Sequence, residues 1–483
     1  MRQSPTSARL ERSEWRYSPA LLVVLSISLV WRLPSLWDPP WVNDEGTYFA
    51  VAQAMAHGYR LYTQVWENKP PGIYLVYAAV YHLAGPSLVT VRVLAALAAL
   101  AIVFLVALIS NQYAPRGVTM AAALTAGLLL GVPFLEGTTA NAEIFLALCT
   151  ALAAWLVAAE RRATLAGGAA GVAILFKAVA GFDALAIVLW LLSGRRSAVP
   201  RFLAGLIGVV LIAVLLAWQT QILPAMLRDA LLYDIGYVGH GTAHQVPWLL
   251  VLKLVILGVL ALYLHRRPFP YLWLAFATAG ALISGRIFGH YFIQVVAPLC
   301  ISLAHLFRNQ TWQVRRVVIV LPAVFLAIGL LTSVAGWSLA AGGHDSILAR
   351  RLQYYANFAR FAFRLEPYAV YRNQIDDHVA RNIQIADTLR HVPPGKLLVW
   401  GNIPWVYVLS DRLPATPYTS AFRQPPIPGE TASLQEAIRR SGIVVVVISP
   451  PLPPLGSATN VLSRQYRIVV RIDNATIYVP RSP

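Results

Sequence analysis

"GIYLVYAAVYHLAG", residues 72–85, is the stretch on which the topology turns. It is almost wholly apolar, but it is only 14 residues long and Pro86 follows at once. A helix that crosses a bilayer needs roughly 17–25 mostly apolar residues, so at this length an interfacial or re-entrant helix is the better reading. The choice matters because counting 72–85 as a span would move every later loop to the opposite side. Charge decides between the two. Outside this stretch the apolar runs fall at about 19–36, 88–110, 117–133, 143–159, 164–180, 182–194, 200–221, 248–264, 269–285, 290–307 and 317–339, eleven in all. With the N-terminus in the cytoplasm, the inner side holds Arg2, Arg9, Arg12, Arg16, Arg116, Arg161, Arg162, Arg195, Arg196, Arg201, Arg266, Arg267, Arg308, Arg315 and Arg316 against three acids, Glu11, Glu14 and Glu160. The outer side before residue 340 holds nine acids: Asp38, Asp44, Glu45, Glu67, Glu136, Glu143, Asp183, Asp229 and Asp234. That is the positive-inside pattern. Treating 72–85 as a span puts Arg116, Arg161 and Arg162 outside and spoils it.

The composition agrees with a polytopic membrane protein. Of 483 residues, 58% are hydrophobic and 12% charged, and the mean hydropathy is +0.60. Soluble globular chains carry about 25% charged residues. The net charge of +18 is accounted for by the inner arginines, so nucleic acid is not implied as a partner. Cys149 and Cys300 both lie in apolar runs, which gives neither a disulfide framework nor a zinc spacing. Residues 1–18 are polar and basic and the run after them lacks a small-residue cleavage site, so they read as a cytoplasmic tail before a first span. Residues 19–339 then form the transmembrane domain, and an odd number of spans leaves 340–483 outside. That tail carries strand-like runs at 396–400, 443–449, 467–472 and 475–479, alternating with helical patterns around 374–391 and 431–441. The expected fold is therefore an α-helical polytopic membrane protein of about eleven transmembrane helices, with interfacial helices in the first outer loop and a small extracytoplasmic α/β domain at the C-terminus.

The outer loops concentrate the chemistry. "VNDEGTYF" (42–49) sets Asp44 beside Glu45, and the same loop goes on to Glu67, Lys69 and Pro70-Pro71. Proline is well tolerated at a helix start, and a lysine held there suits a phosphate at headgroup level. Each charge taken singly is also consistent with a solvated loop residue. "TTANAEIF" (138–145) places Asn141 and Glu143 at the head of a span, where the helix dipole by itself favours a carboxylate. Lys177 and Asp183 flank a tight turn between two spans and read as a structural ion pair. Loop 222–247 brings Asp234, Tyr237, His240 and His244; the H-x-x-x-H spacing can bind metal on a helix, but Gly239 and Gly241 argue against a helix there. Arg286, His290 and Tyr291 arrive at the outer end of the tenth span. Arg286 runs against the charge bias, which calls for an anionic partner. Acids and bases thus converge on one face with few charges mid-membrane. A transporter would more often place ionisable groups near the midplane.

"NDEGTYFAVAQAMAHG…ENKPPGIYLVY", "NAEIF", "FK" at 176–177 and "RIFGHYFIQVVAP" resemble the type C membrane glycosyltransferases, relatives of dolichyl-phosphate-mannose protein mannosyltransferases and lipid A aminoarabinose transferases. The resemblance covers roughly residues 15–310. It implies inverting transfer of a sugar from a polyprenyl-phosphate donor to an acceptor hydroxyl of a lipid, glycan or protein, at the plasma membrane's outer face. Asp44 matches the family's essential first-loop aspartate, Glu45 its acidic neighbour, Lys69 the lysine before the double proline, and Glu143 the second-loop acid. Some relatives carry a metal-ligating Glu directly before that lysine; here the position is Asn68, with Glu67 one earlier. A divalent metal ion held by Glu67 and His244 is one reading of the site, and no cofactor is the other.

The reaction needs a carboxylate base for the acceptor hydroxyl and fixed cations for the leaving phosphate. Asp44 is expected to be the base, with Glu45 and Glu143 as further catalytic carboxylates that position acceptor or sugar. Lys69, Arg286 and His290 are expected to bind the donor phosphate. A transporter or flippase of a lipid-linked sugar is the rival of another class, and an accessory protein that keeps the fold without the activity is a third reading.

Overall fold

The structure is a computed structural model. It describes residues 19–158, 162–235, 247–284, 288–309, 347–421, 427, 429–440 and 442–481. Long apolar runs without internal breakers form helices almost throughout. In chain order these are α1 (Pro19–Arg32), α2 (Asn43–Ala56), α3 (Gly72–Ala84), α4 (Leu88–Ser110), α5 (Arg116–Gly131), α6 (Ala142–Ala158), α7 (Ala163–Phe176), α8 (Ala180–Gly194), α9 (Val199–Gln219), α10 (Pro247–Leu264), α11 (Phe269–Leu282) and α12 (Ile293–Leu306). Among the described residues four segments are long and apolar enough to cross a membrane: Pro19–Leu36, Leu88–Ser110, Arg196–Gln219 and Gly289–Leu306. Helices α5, α7 and α11 end before the apolar runs they occupy do. Pro133 shows why for α5: it pushes Val132 out of the helical region, to ψ 124°, and the helix ends at Gly131. The expected span 317–339 lies outside the described residues.

The opening stretch is a helix of 13 residues, Gly72–Ala84. At about 1.5 Å per residue it is some 10 Å short of a hydrocarbon core of about 30 Å. One side of it (Ile73, Tyr74, Tyr77) is fully buried, and Tyr77 meets Tyr48 and Phe49 of α2 edge-on at 5.1 and 4.7 Å. The bundle's outside is apolar. Helix α9 buries only Phe202 and Ala217, while Ile207, Ile212 and Leu216 stand more than 55% exposed. In water such a surface would be an association hazard, whereas in lipid it is the natural covering.

After α13 (Ile347–Ala362), α14 (Tyr368–Ile375) and α15 (His378–Arg390) comes a small sheet of β1 (Leu397–Trp400), β2 (Val444–Ile448), β3 (Tyr466–Ile472) and β4 (Ala475–Pro480). The strand order is β1-β2-β4-β3, with β1 and β2 parallel and the other pairs antiparallel. All four strands fall where the β-branched runs placed them. This unit docks onto α2: Trp405 Nε1 donates to the Val42 carbonyl at 2.7 Å, and Gln53 Nε2 donates to Asp411 Oδ1 at 2.8 Å.

Candidate active site

The two adjacent acids of the first loop part company at the start of α2. A helix turns by about 100° per residue, so Asp44 and Glu45 face different surroundings. Glu45 is fully buried. Its Oε2 lies 2.7 Å from Arg92 Nη2, its Oε1 accepts from Arg92 Nε at 3.2 Å, and Oε1 also accepts from the Ala140 N–H at 2.9 Å. Arg92 completes its hydrogen bonds on the Ser35 and Asp38 carbonyls at 2.9 and 2.7 Å. Asp38 in turn accepts from Tyr354 and Tyr371 at 2.8 and 2.5 Å. Glu45 does not line the cavity described next. The buried Arg92 guanidinium takes both of its oxygens.

Asp44 opens into a cavity of about 910 Å³, shared by Glu67, Lys69, Glu143, Lys177 and His290. Its side chain is 39% accessible, and Lys69 Nζ stands 3.9 Å from Oδ2. Burial works to raise the Asp44 pKa, but Lys69 above all, with His290 and Lys177, outweighs it and holds the carboxyl below its usual range. For Lys69, burial works downward, and Asp44, Glu67, Glu143 and Asp234 together push its pKa up. Tyr48 donates to Asp44 Oδ2 at 3.4 Å and offers its ring to the Lys69 ammonium, 5.1 Å from the centroid.

Across the cavity, Lys177 Nζ lies 2.6 Å from Glu143 Oε1 and 3.7 Å from the centroid of Tyr291. The reading of Lys177 with Asp183 as an ion pair is thereby corrected. Lys177 follows the last turn of α7 in extended conformation and points into the cavity. Asp183, in the first turn of α8, is buried and accepts from Trp273 Nε1 at 2.6 Å. Gly72 lets these parts meet, since a Cβ there would lie 2.6 Å from the Leu175 carbonyl oxygen. The head of α3, with Lys69 just before it, thus abuts the end of α7, with Lys177 just after it. His290 sits between two acids, Nδ1 at 2.8 Å from Glu136 Oε2 and Nε2 at 3.9 Å from Glu143 Oε1. Gly289 permits this, because a Cβ would collide with the Phe134 carbonyl oxygen.

The structure therefore brings together Asp44, Lys69, Glu143 and His290 of the expected set. Arg286 and His244 lie outside the described residues. Lys177 was quoted in the sequence without a role in the site, and Glu136 was counted only as an outer acid. Glu136 has a positive φ of 52°, a conformation few residues with a side chain adopt. Nothing in its local sequence marks it for His290, which is 154 positions away.

The fit of a metal can be tested on Glu67. It is 2% exposed, and its Oε2 accepts from the Tyr74 hydroxyl at 2.7 Å and from the Asn68 N–H at 3.4 Å. The acids around it face the Lys69 ammonium, which supplies the positive charge a cation would bring. Among the described residues the one close group of possible ligands is Asp376, Asp377 and His378, on the rim of the cavity.

With the geometry in place, comparison with known proteins is informative. The profile of the dolichyl-phosphate-mannose-protein mannosyltransferases matches residues 68–218, a stretch that holds Lys69, Glu143 and Lys177. The crystal structure of ArnT from Cupriavidus metallidurans bound to undecaprenyl phosphate superposes with a TM-score of 0.61 at 14% identity, covering 95% of this chain and 97% of that one. The apo form of the same protein gives 0.60 at 16% identity, with the same coverage. No curated protein sequence matches the chain. The chain is thus similar to the type C membrane glycosyltransferases in sequence over 68–218 and has the fold of ArnT over nearly its whole length.

Proposed function

We propose that this protein is a membrane glycosyltransferase that transfers a hexosyl or pentosyl group, with inversion, from a polyprenyl-phosphate donor to an acceptor hydroxyl on the outer face of the membrane. The observation that carries this reading is the opposition, across one cavity, of an accessible ionised carboxylate, Asp44, and two ammonium groups, Lys69 and Lys177. Asp44 takes the proton of the attacking hydroxyl, and the cations receive the phosphate that departs from the anomeric carbon. The leaving phosphate is already a stabilised anion, so no general acid is needed.

The pairing of Asp44 with Lys69 has a consequence for the order of events. Lys69 suppresses the basicity of Asp44. A donor phosphate competes for Lys69, and as that contact is traded away the Asp44 pKa rises toward that of a better base. Donor binding thus prepares the base, which guards against premature acceptor activation. His290, between Glu136 and Glu143, completes the phosphate side, and Glu143 orients the sugar through Lys177. Glu45 acts through position alone, fixing the first turn of α2. Arg286 remains assigned to the donor phosphate.

The wider arrangement is part of the same proposal. About eleven spans run from a cytoplasmic tail (1–18) through a transmembrane domain (19–339) to an extracytoplasmic α/β domain (340–483). The arginine excess in the loops assigned to the inner side, against the acids in the outer loops, supports this orientation. The test is product analysis with purified protein in vesicles, supplied with polyprenyl-phosphate sugars. A new glycosidic bond, absent in Asp44→Asn, is the expected result. Movement of the sugar lipid across the bilayer with no new bond would identify a flippase instead.

A further inference from the structure

A second cavity, of about 370 Å³, opens beside the first and shares Trp41, Asn43, Asp376 and Asn402 with it. Its volume is near the lower end of the roughly 300–1,000 Å³ range of small-molecule sites. Its position follows from the sheet. Asn402 comes two residues after the carboxyl end of β1, and Ile448 is the last residue of β2, the two strands that run parallel. In open α/β sheets the crevice outside the carboxyl ends of parallel strands is where ligands bind. Here that crevice faces the first turn of α2, one residue from Asp44.

The lining differs in kind from that of the first cavity. The side-chain amides of Asn43 and Asn402 are exposed and make no hydrogen bond among the described residues. Each offers donors and an acceptor at once. Charges of both signs are present, Asp376 and the buried Arg381, so the wall as a whole does not demand a charged ligand. Unspent amides beside an indole face, with balanced charge, suit a neutral ligand that carries hydroxyl groups around an apolar ring.

We propose that this crevice is the acceptor subsite, and that the acceptor presents a neutral sugar residue there, seated on Trp41 and held by Asn43 and Asn402. One of its hydroxyls then reaches Asp44. The assignment narrows the acceptor from lipid, glycan or protein to a glycan-bearing molecule, and it rests on the glycosyl-transfer reading of the main cavity. Saturation-transfer NMR on the full-length detergent-solubilised protein tests it. The probes are neutral methyl hexopyranosides, a serine-containing peptide of similar size, and undecaprenyl phosphate titrated separately. The expected result is ring-proton saturation of the glycosides that falls about tenfold in Trp41→Ala and in Asn402→Ala, while undecaprenyl phosphate still binds both variants. Two variants are used so that a folding defect in one does not decide the matter. Glycosides that fail to bind the wild type, or that bind both variants equally, overturn the proposal. So does a peptide that binds in their place and is lost in the variants. If the wild type does not bind undecaprenyl phosphate, the glycosyl-transfer reading fails and the acceptor role fails with it, whatever the glycosides do.

Discussion

Asp44 and Glu45 are neighbours in sequence and belong to two regions built on opposite plans. Around Glu45 every donor of Arg92 is used, both carboxylate oxygens are bonded, and the pair is 1% and 0% exposed. Around Asp44 the nearest cation is 3.9 Å away and the side chain is 39% accessible. The buried region is complete in itself, and a ligand has nothing to add to it. The cavity region holds Asp44 and Lys69 in opposition without closing them into a tight pair, although Lys177–Glu143 and His290–Glu136 are close. A reaction needs the second kind of arrangement, because a group whose hydrogen bonds are all made has none to give a transition state. The first kind holds the second in place. Arg92 ties the Ser35–Asp38 turn to the head of α2 through Glu45, and Glu45 holds the loop at Ala140, from which Asn141 and Glu143 follow.

The sharpest way to break this comparison is to alter each acid of the pair. Asp44→Asn removes the base and leaves shape and neighbours nearly unchanged. Transfer is expected to fall by roughly 10²–10⁴, while the unfolding temperature in detergent stays within a degree or two of wild type. Retention of near-normal transfer would remove Asp44 from the reaction. Arg92→Ala is expected to do the reverse. It leaves the Glu45 carboxylate buried without its cation, a loss of about 3–5 kcal/mol of stability, read as a large drop in unfolding temperature or in recoverable protein. If Arg92→Ala unfolds like wild type and only transfer suffers, the two regions are not divided as described.

How much of this was legible beforehand follows from the kind of signal each residue leaves. Asp44, Lys69 and Glu143 stand in polar loops between apolar runs, where a charge is conspicuous, and the strands of the tail announce themselves as β-branched runs. Arg92 gives no such signal. It is one charge in the second turn of a 23-residue apolar helix, and its partner is 47 positions earlier. Lys177 and Asp183 misled because closeness in sequence stood in for closeness in space. The extended residue at 177 turns the two side chains apart, one to the cavity and one to Trp273. The end of α5 was overrun because its apolar run continues past Pro133.

Within the cavity, the lysines come next. Lys69→Ala takes away one of the cations facing the departing phosphate, and kcat/KM for the polyprenyl-phosphate donor is expected to fall by roughly 10²–10³. Because Lys69 also restrains Asp44, the variant should lose donor affinity while its remaining activity shifts toward higher pH. An unchanged donor KM and kcat would place the phosphate elsewhere. A smaller effect is expected at the edge of the buried region. Tyr371→Phe removes one of two hydroxyls on Asp38, at a cost of about 1.5–3 kcal/mol for a hydrogen bond to a charged group. Its signature is lower thermal stability with donor KM unchanged.

The smallest effect expected is at Asp234, and it tests whether the cavity region titrates near neutrality. Asn68 Nδ2 donates to its Oδ1 at 3.0 Å, and burial pushes its pKa up to about 6, against the pull of Asn68, Lys69 and Lys177. A carboxyl with a raised pKa stabilises the fold while it is protonated. That contribution is fully present below the unfolded value near 3.8 and is lost as pH rises through about 6, where the folded chain must carry a partly buried charge. Asp234→Asn keeps the acceptor for Asn68 and removes the titration. The variant should therefore match wild type at pH 4 and exceed it at pH 8, with the gap opening between those limits. One pKa unit corresponds to about 1.4 kcal/mol, and solvent at the cavity mouth reduces the two-unit shift to a gain of about 1 kcal/mol. Thermal unfolding across the pH range reads this directly. A gap that is the same at pH 4 and pH 8 would mean that Asp234 does not titrate between those limits.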